Sequence, residues 1–98
     1  MLAEKFQSVR GYTEKICEPL EIEDYVPQSV AHASPPKWHL AHTTWFFEEF
    51  ILQSLVPEYQ VFNDSFSVLF NSYYNAVGDR IARHHRGLLT RPSVEQVY

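Results

Sequence analysis

Only one cysteine, Cys17, occurs in the 98 residues, so no internal disulfide can form and a reducing, cytoplasmic setting is the expectation. Near the end of an apolar helical pattern, this residue reads as a small hydrophobe rather than a nucleophile. Basic residues are also scarce: 8 Lys plus Arg stand against 12 Asp plus Glu, for a net charge of −4. That balance disfavours nucleic acid as the main partner. No segment joins a charged start to the apolar run of a signal peptide, and no apolar stretch approaches the roughly 20 residues needed to cross a bilayer, so no membrane association is expected. Strand-type alternation is weak, and internal repeats and low-complexity tracts are missing.

What is present is an aromatic load and clear helical punctuation. Seven Phe, six Tyr and two Trp are many for a chain this short, and suit either a tightly packed helical core or a surface that meets more protein. Residues 2 to 17 place Leu2, Phe6, Val9, Tyr12 or Thr13, and Ile16 at helical spacing, predicting a first amphipathic helix that Pro19 ends. An acidic, irregular stretch follows, with a short helical turn near Ile22. A second helix is expected from about 35 to 55, between a Ser34 cap and Pro57, with Pro35 and Pro36 in its first turn. A third, capped by Asp64 or Ser65, carries Phe66, Leu69, Phe70, Tyr73, Tyr74 and Val77 and closes at Gly78. Ser93 and Gln96 have the capping-box spacing, so a fourth helix begins at Val94. The pattern predicts an all-α bundle of about three helices plus the start of a fourth, a single partial domain over residues 1 to 98.

Chemistry concentrates in residues 34 to 50, where two histidines and a carboxylate sit in an aromatic helix. At about 100° per residue, Trp38, His39, His42, Trp45, Phe46 and Glu49 share one side, while Leu40, Phe47, Ile51 and Leu55 share the other. Both sides are apolar enough to be covered, so His42 needs a hydrogen-bond partner or a metal. On spacing alone the plainer alternative leads: a core histidine bonded to a carbonyl or to Glu49. His39 and His42 at i, i+3 can converge on one ion but leave it short of ligands. His84 and His85 read as solvated, and His32 fits either role. Arg80, Arg83, Arg86 and Arg91 cluster into a basic segment that suits a small carboxylate or phosphate, or else a solvated loop.

Three ordered blocks carry a resemblance: SPPKWHLAHTTWFFE from Ser34, LFNSYYNAVG from Leu69 and RGLLTRP from Arg86. Together they resemble the DinB-like domain that opens the EgtB-type ergothioneine-pathway sulfoxide synthases, a DinB-like up-and-down helical bundle. The resemblance implies non-haem Fe(II) chemistry in which dioxygen joins the sulfur of a cysteine-type thiol to the imidazole of hercynine. It implies that His42 is one of three iron-ligating histidines. The other two would come from a later His-x-x-x-His-x-Glu motif, and a C-terminal domain would complete the substrate pocket. By the same resemblance Arg80, Arg83 and Arg86 fall where the family places basic residues near the thiol substrate's carboxylates. With those later parts beyond Tyr98, the chain is expected to be the N-terminal part of such an enzyme, to hold metal weakly or not at all, and to be inactive alone.

Two other readings compete. A stand-alone helical module would associate with itself or a partner through Trp38, Trp45, Phe46 and Tyr73, and homo-oligomers through an exposed apolar seam are part of that expectation. A DinB-like thiol-dependent transferase or hydrolase would instead hold zinc or nickel on three histidines.

Overall fold

The computed structural model of the protein describes residues 2–72 and 81–98. Among them every regular element is helical, so the chain is all-α, as the patterning predicts. Helix α1 spans Leu2–Cys17 and α2 spans Pro36–Phe47. The latter runs on through a π-helical segment, Glu48–Leu52, and a last α turn, Gln53–Leu55. Helix α3 is Phe66–Phe70 and α4 is Val94–Val97, while 3-10 turns occupy Ile22–Tyr25 and Arg83–Leu88. None of the described helices is long and apolar enough to cross a membrane.

Helix α2 is the hub, packing against α3, α4 and the Ile22–Tyr25 turn. Its Trp38, Leu40, Ala41 and Trp45 are buried with Phe66 and Phe70 of α3, Val94 and Val97 of α4, and Cys17 and Tyr25. Cys17 is thus the small core residue expected of it. The Ser93 cap also forms as expected: Gln96 donates its backbone N–H to Ser93 Oγ at 3.2 Å, and Ser93 N–H donates to Gln96 Oε1 at 2.8 Å.

Four expectations are corrected. Ser34 does not cap α2: the cap position is Pro35, and Ser34 Oγ accepts from Arg86 Nη1 at 2.8 Å instead. Helix α3 stops at Phe70: Asn71 is extended (ψ 142°), and the Phe70 carbonyl accepts from the His42 ring; Tyr73, Tyr74, Val77 and Gly78 lie outside the described residues. Past α2, the buried carboxylate of the π segment is Glu48, not Glu49, and Leu55 of the last turn is exposed. The stripe 38–41–45–48 keeps helical spacing and carries Glu48 inward, while Leu55 follows the π segment, whose wider turn shifts the phase of what comes after.

Helix α1 also faces differently from its apolar stripe. Leu2, Val9, Tyr12 and Ile16 are exposed, and the covered side runs through Phe6, Arg10, Thr13, Glu14 and Cys17. Phe6 meets Phe47 edge-on at 4.5 Å. Arg10 fastens α1 to the hub, donating to the Leu40 carbonyl at 2.9 Å, Thr43 Oγ1 at 3.1 Å and the Val97 carbonyl at 2.6 Å. A charged side chain with three partners across two elements outweighs the orientation that the apolar stripe alone would choose.

The two described glycines give an opposed pair of predictions. A Cβ on Gly87 would lie 2.7 Å from Gln28 Cβ, which is anchored close to the backbone and has little room to yield, whereas one on Gly11 meets nothing within 4 Å. Gly87→Ala is expected to lower stability by about 1–3 kcal/mol through overpacking. Gly11→Ala, mid-helix, is expected to raise it by about 0.5–1 kcal/mol. Urea unfolding monitored by circular dichroism measures both, and equal effects would contradict the packing described.

Candidate functional site

One cavity gathers most of the residues singled out in the sequence. It has a volume of about 390 Å³ and is lined by His32, Ser34, Trp38, His39, His42, Ser72, Arg83 and Arg86, among others. Helix α2 supplies Trp38, His39 and His42, which one helical turn and the next bring to a common side. The Arg83–Leu88 turn supplies the two arginines. Gln28 holds that turn in place: its Nε2 donates to the Arg83 carbonyl at 2.7 Å and its Oε1 accepts the Gly87 N–H at 2.7 Å.

His42 is half-buried, and its Nδ1 lies 2.6 Å from the Phe70 carbonyl. A carbonyl can only accept, so Nδ1 carries the proton and Nε2 keeps its lone pair in the neutral ring. Glu49 is not the partner. The ring lies parallel to Trp38, with centroids 4.5 Å apart and planes 10° apart. Trp38 also takes the Arg86 guanidinium over its ring at 3.7 Å, a cation–π contact. Among the described residues the buried Trp38 Nε1–H has no hydrogen-bond acceptor.

The two arginines differ. Arg86 is 5% exposed and donates to Ser34 Oγ at 2.8 Å and Ser72 Oγ at 3.1 Å, whereas Arg83 is exposed at the rim. Arg80 lies outside the described residues. His39 is more exposed than His42, and His84 and His85 are exposed and pack ring to ring at 4.0 Å. They stay outside the cavity lining, as a solvated role requires.

Electrostatics keep the imidazoles neutral. Burial lowers the pKa of His42, the Phe70 carbonyl raises it in part, and Arg86 lowers it further. For His39, burial comes first, then His42 and Arg86, against a smaller rise from the Ser34 carbonyl. Nearby Lys37 is lowered too, by burial and by the Arg91 cation, while its Nζ donates to the Leu89 carbonyl at 3.1 Å. The arrangement therefore offers neutral imidazole lone pairs beside guanidinium cations, which suits an anionic ligand with a group to be bound or deprotonated. As a metal centre it is not complete: among the described residues no three His, Cys, Asp or Glu side chains come together as a donor set.

Arg10 and Glu48, which anchor the hub, were not among the residues the sequence singled out as sites. The 38–41–45–48 spacing carries the signal for Glu48. For Arg10 the sequence signals only the i, i+4 pair with Glu14; its bonds to the Leu40 and Val97 carbonyls and to Thr43 Oγ1 leave no local pattern.

A histidine whose pKa is lowered on folding binds fewer protons folded than unfolded, so its stabilising contribution is present above the unfolded value near 6.5 and lost as pH falls toward the folded one. Thermal stability is expected to decline from about pH 7.5 to about pH 5. His39→Gln should flatten that profile, and a profile unchanged in the variant would contradict the shift assigned to His39. Among known proteins, no family model and no curated protein matches this chain.

Proposed function

We propose that this chain forms the N-terminal, DinB-like part of a non-haem iron sulfoxide synthase that joins a cysteine-type thiol to hercynine, with His42 as one iron ligand. The observation that carries the reading is the state of His42: its Nδ1–H is committed to the Phe70 carbonyl in a cavity shared with Arg83 and Arg86. Metal-bound histidines usually donate their second ring nitrogen in this way, which fixes the tautomer and aims the lone pair. The three ordered sequence blocks are its other support.

When bound, ferrous iron would supply dioxygen activation and a shared coordination sphere for the reacting thiol and imidazole. The described residues do not form the three-donor set, so in this proposal the two remaining imidazoles come from a later motif. What the chain's own residues do is more limited. Phe70 orients His42, Trp38 holds its ring by stacking, and Arg83 or Arg86 pairs with a substrate carboxylate. Burial and Arg86 keep the His42 lone pair unprotonated near neutral pH. Arg80, the third arginine of the expectation, keeps its proposed substrate role on the resemblance alone.

Self-association is the second reading, and the exposure of α1 supports a different surface for it. Trp38 and Trp45 are buried and Phe46 is half-buried, so the face built on them is not available. The exposed apolar residues Leu2, Val9, Tyr12 and Ile16 of α1 favour that helix instead.

The test is nuclear magnetic resonance with Co(II) as a paramagnetic stand-in for Fe(II), which detects weak, single-ligand binding. Line broadening centred on His42 and lost in His42→Ala is the expected result. Broadening centred on His84 and His85 and indifferent to His42→Ala would remove the ligand assignment. Tight binding of zinc or nickel in preference to iron would favour a transferase or hydrolase instead.

A further inference from the structure

A second cavity, of about 400 Å³, shares no residue with the first and has the opposite character. It lies where α1, the π segment, the following loop and α4 meet. Its walls include Phe6, Phe47, Tyr59, Phe62 and Tyr98, and Glu48 also lines it. That volume is within the range of small-molecule sites.

Glu48 is the informative member. It is 4% exposed, and its Oε2 accepts from Tyr59 Oη at 2.8 Å and from the Phe62 N–H at 2.9 Å. Neither partner is a cation. Among the described residues Glu48 makes no ion pair, and its Oε1 makes no hydrogen bond. Among the described residues the one cation on the cavity wall, Arg10, is engaged elsewhere: it pairs with Glu14 Oε2 at 2.9 Å and donates to the Leu40 and Val97 carbonyls and Thr43 Oγ1. A carboxylate taken out of water strongly favours a compensating cation. Aromatic faces offer their negative quadrupole to the same charge.

We propose that this cavity binds a primary alkylammonium ion, its NH3+ group on the Glu48 carboxylate and its alkyl chain along Phe6, Phe47 and Leu52. The free carboxylate oxygen selects an ammonium that carries N–H donors, since it has lone pairs to fill. The Phe6–Phe47 pair, edge-on at 4.5 Å, supplies the apolar side that a short alkyl chain requires. Anionic ligands are repelled by Glu48, and neutral alcohols leave its charge unanswered. This site does not depend on the iron reading.

The experiment is a titration of the full chain with n-butylammonium, followed by amide shifts at Glu48, Tyr59 and Phe62, with n-butanol as the uncharged match. Saturable shifts with the ammonium and none with the alcohol are expected. Glu48→Gln keeps an oxygen to accept both existing hydrogen bonds, and should weaken binding about tenfold or more. Phe62→Leu, at a residue 57% exposed, keeps the test independent of Glu48's role in folding and should weaken binding about twofold to fivefold. Equal affinity for butanol, no shifts with either compound, or Glu48→Gln binding as the parent does would each overturn the proposal.

Discussion

The charged and imidazole groups that α2 and the π segment carry into the core each find a partner, and the described part of the fold is largely the set of segments that provide them. Unpaired, each such group costs about 1–3 kcal/mol, and more if charged. Lys37 takes the Leu89 carbonyl, His42 the Phe70 carbonyl, and Glu48 the Tyr59 hydroxyl and Phe62 amide. The Leu40 carbonyl, although inside the helix, takes a further bond from Arg10. Each bond draws a different stretch of chain onto the hub. Apolar contact makes the association favourable, but it is indifferent to register. The polar bonds choose which segment lies against which turn.

The same constraint produces the first cavity. Arg86 is buried against the Ser34 and Ser72 hydroxyls and the Trp38 ring. A guanidinium held that way projects its field into its surroundings, where it disfavours protonation of both histidines. Neutral imidazoles next to a permanent cation are what an anionic, nucleophilic ligand needs. Trp38 links the two halves physically, stacking on His42 and receiving Arg86.

The sequence was most legible where local signals act alone. Helix α1, the start of α4 and its capping box follow from spacing and cap residues, because those bonds close within four residues. No local pattern brings His42 and the Arg83–Leu88 turn together; the structure shows His42, Arg83 and Arg86 lining one cavity. What could not be read depends on partners far along the chain: Ser34 turned from cap to acceptor for Arg86, α3 ended where Phe70 gives its carbonyl to His42, and α1 rotated to satisfy Arg10. In each case a bond across 14 or more residues displaced a local preference of about 1 kcal/mol. The inward turn of Glu48 was legible in principle from the 38–41–45–48 stripe, but the histidine-bearing 38–42–45–49 stripe points to Glu49 instead.

Two cavities of opposite sign on one helix follow from this arrangement. His42 and Glu48 are separated by six residues, so α2 presents them on different sides, and the cations and anions that accompany each are supplied by different segments. Arg83 and Arg86 come from the 3-10 turn on one side; Glu14, with Arg10 neutralising it, comes from α1 on the other. A single aromatic helix can therefore present an anion-accepting surface and a cation-accepting one without the charges cancelling. On the two ligand readings proposed above, this separation, rather than net charge, sets which ligands each cavity would hold.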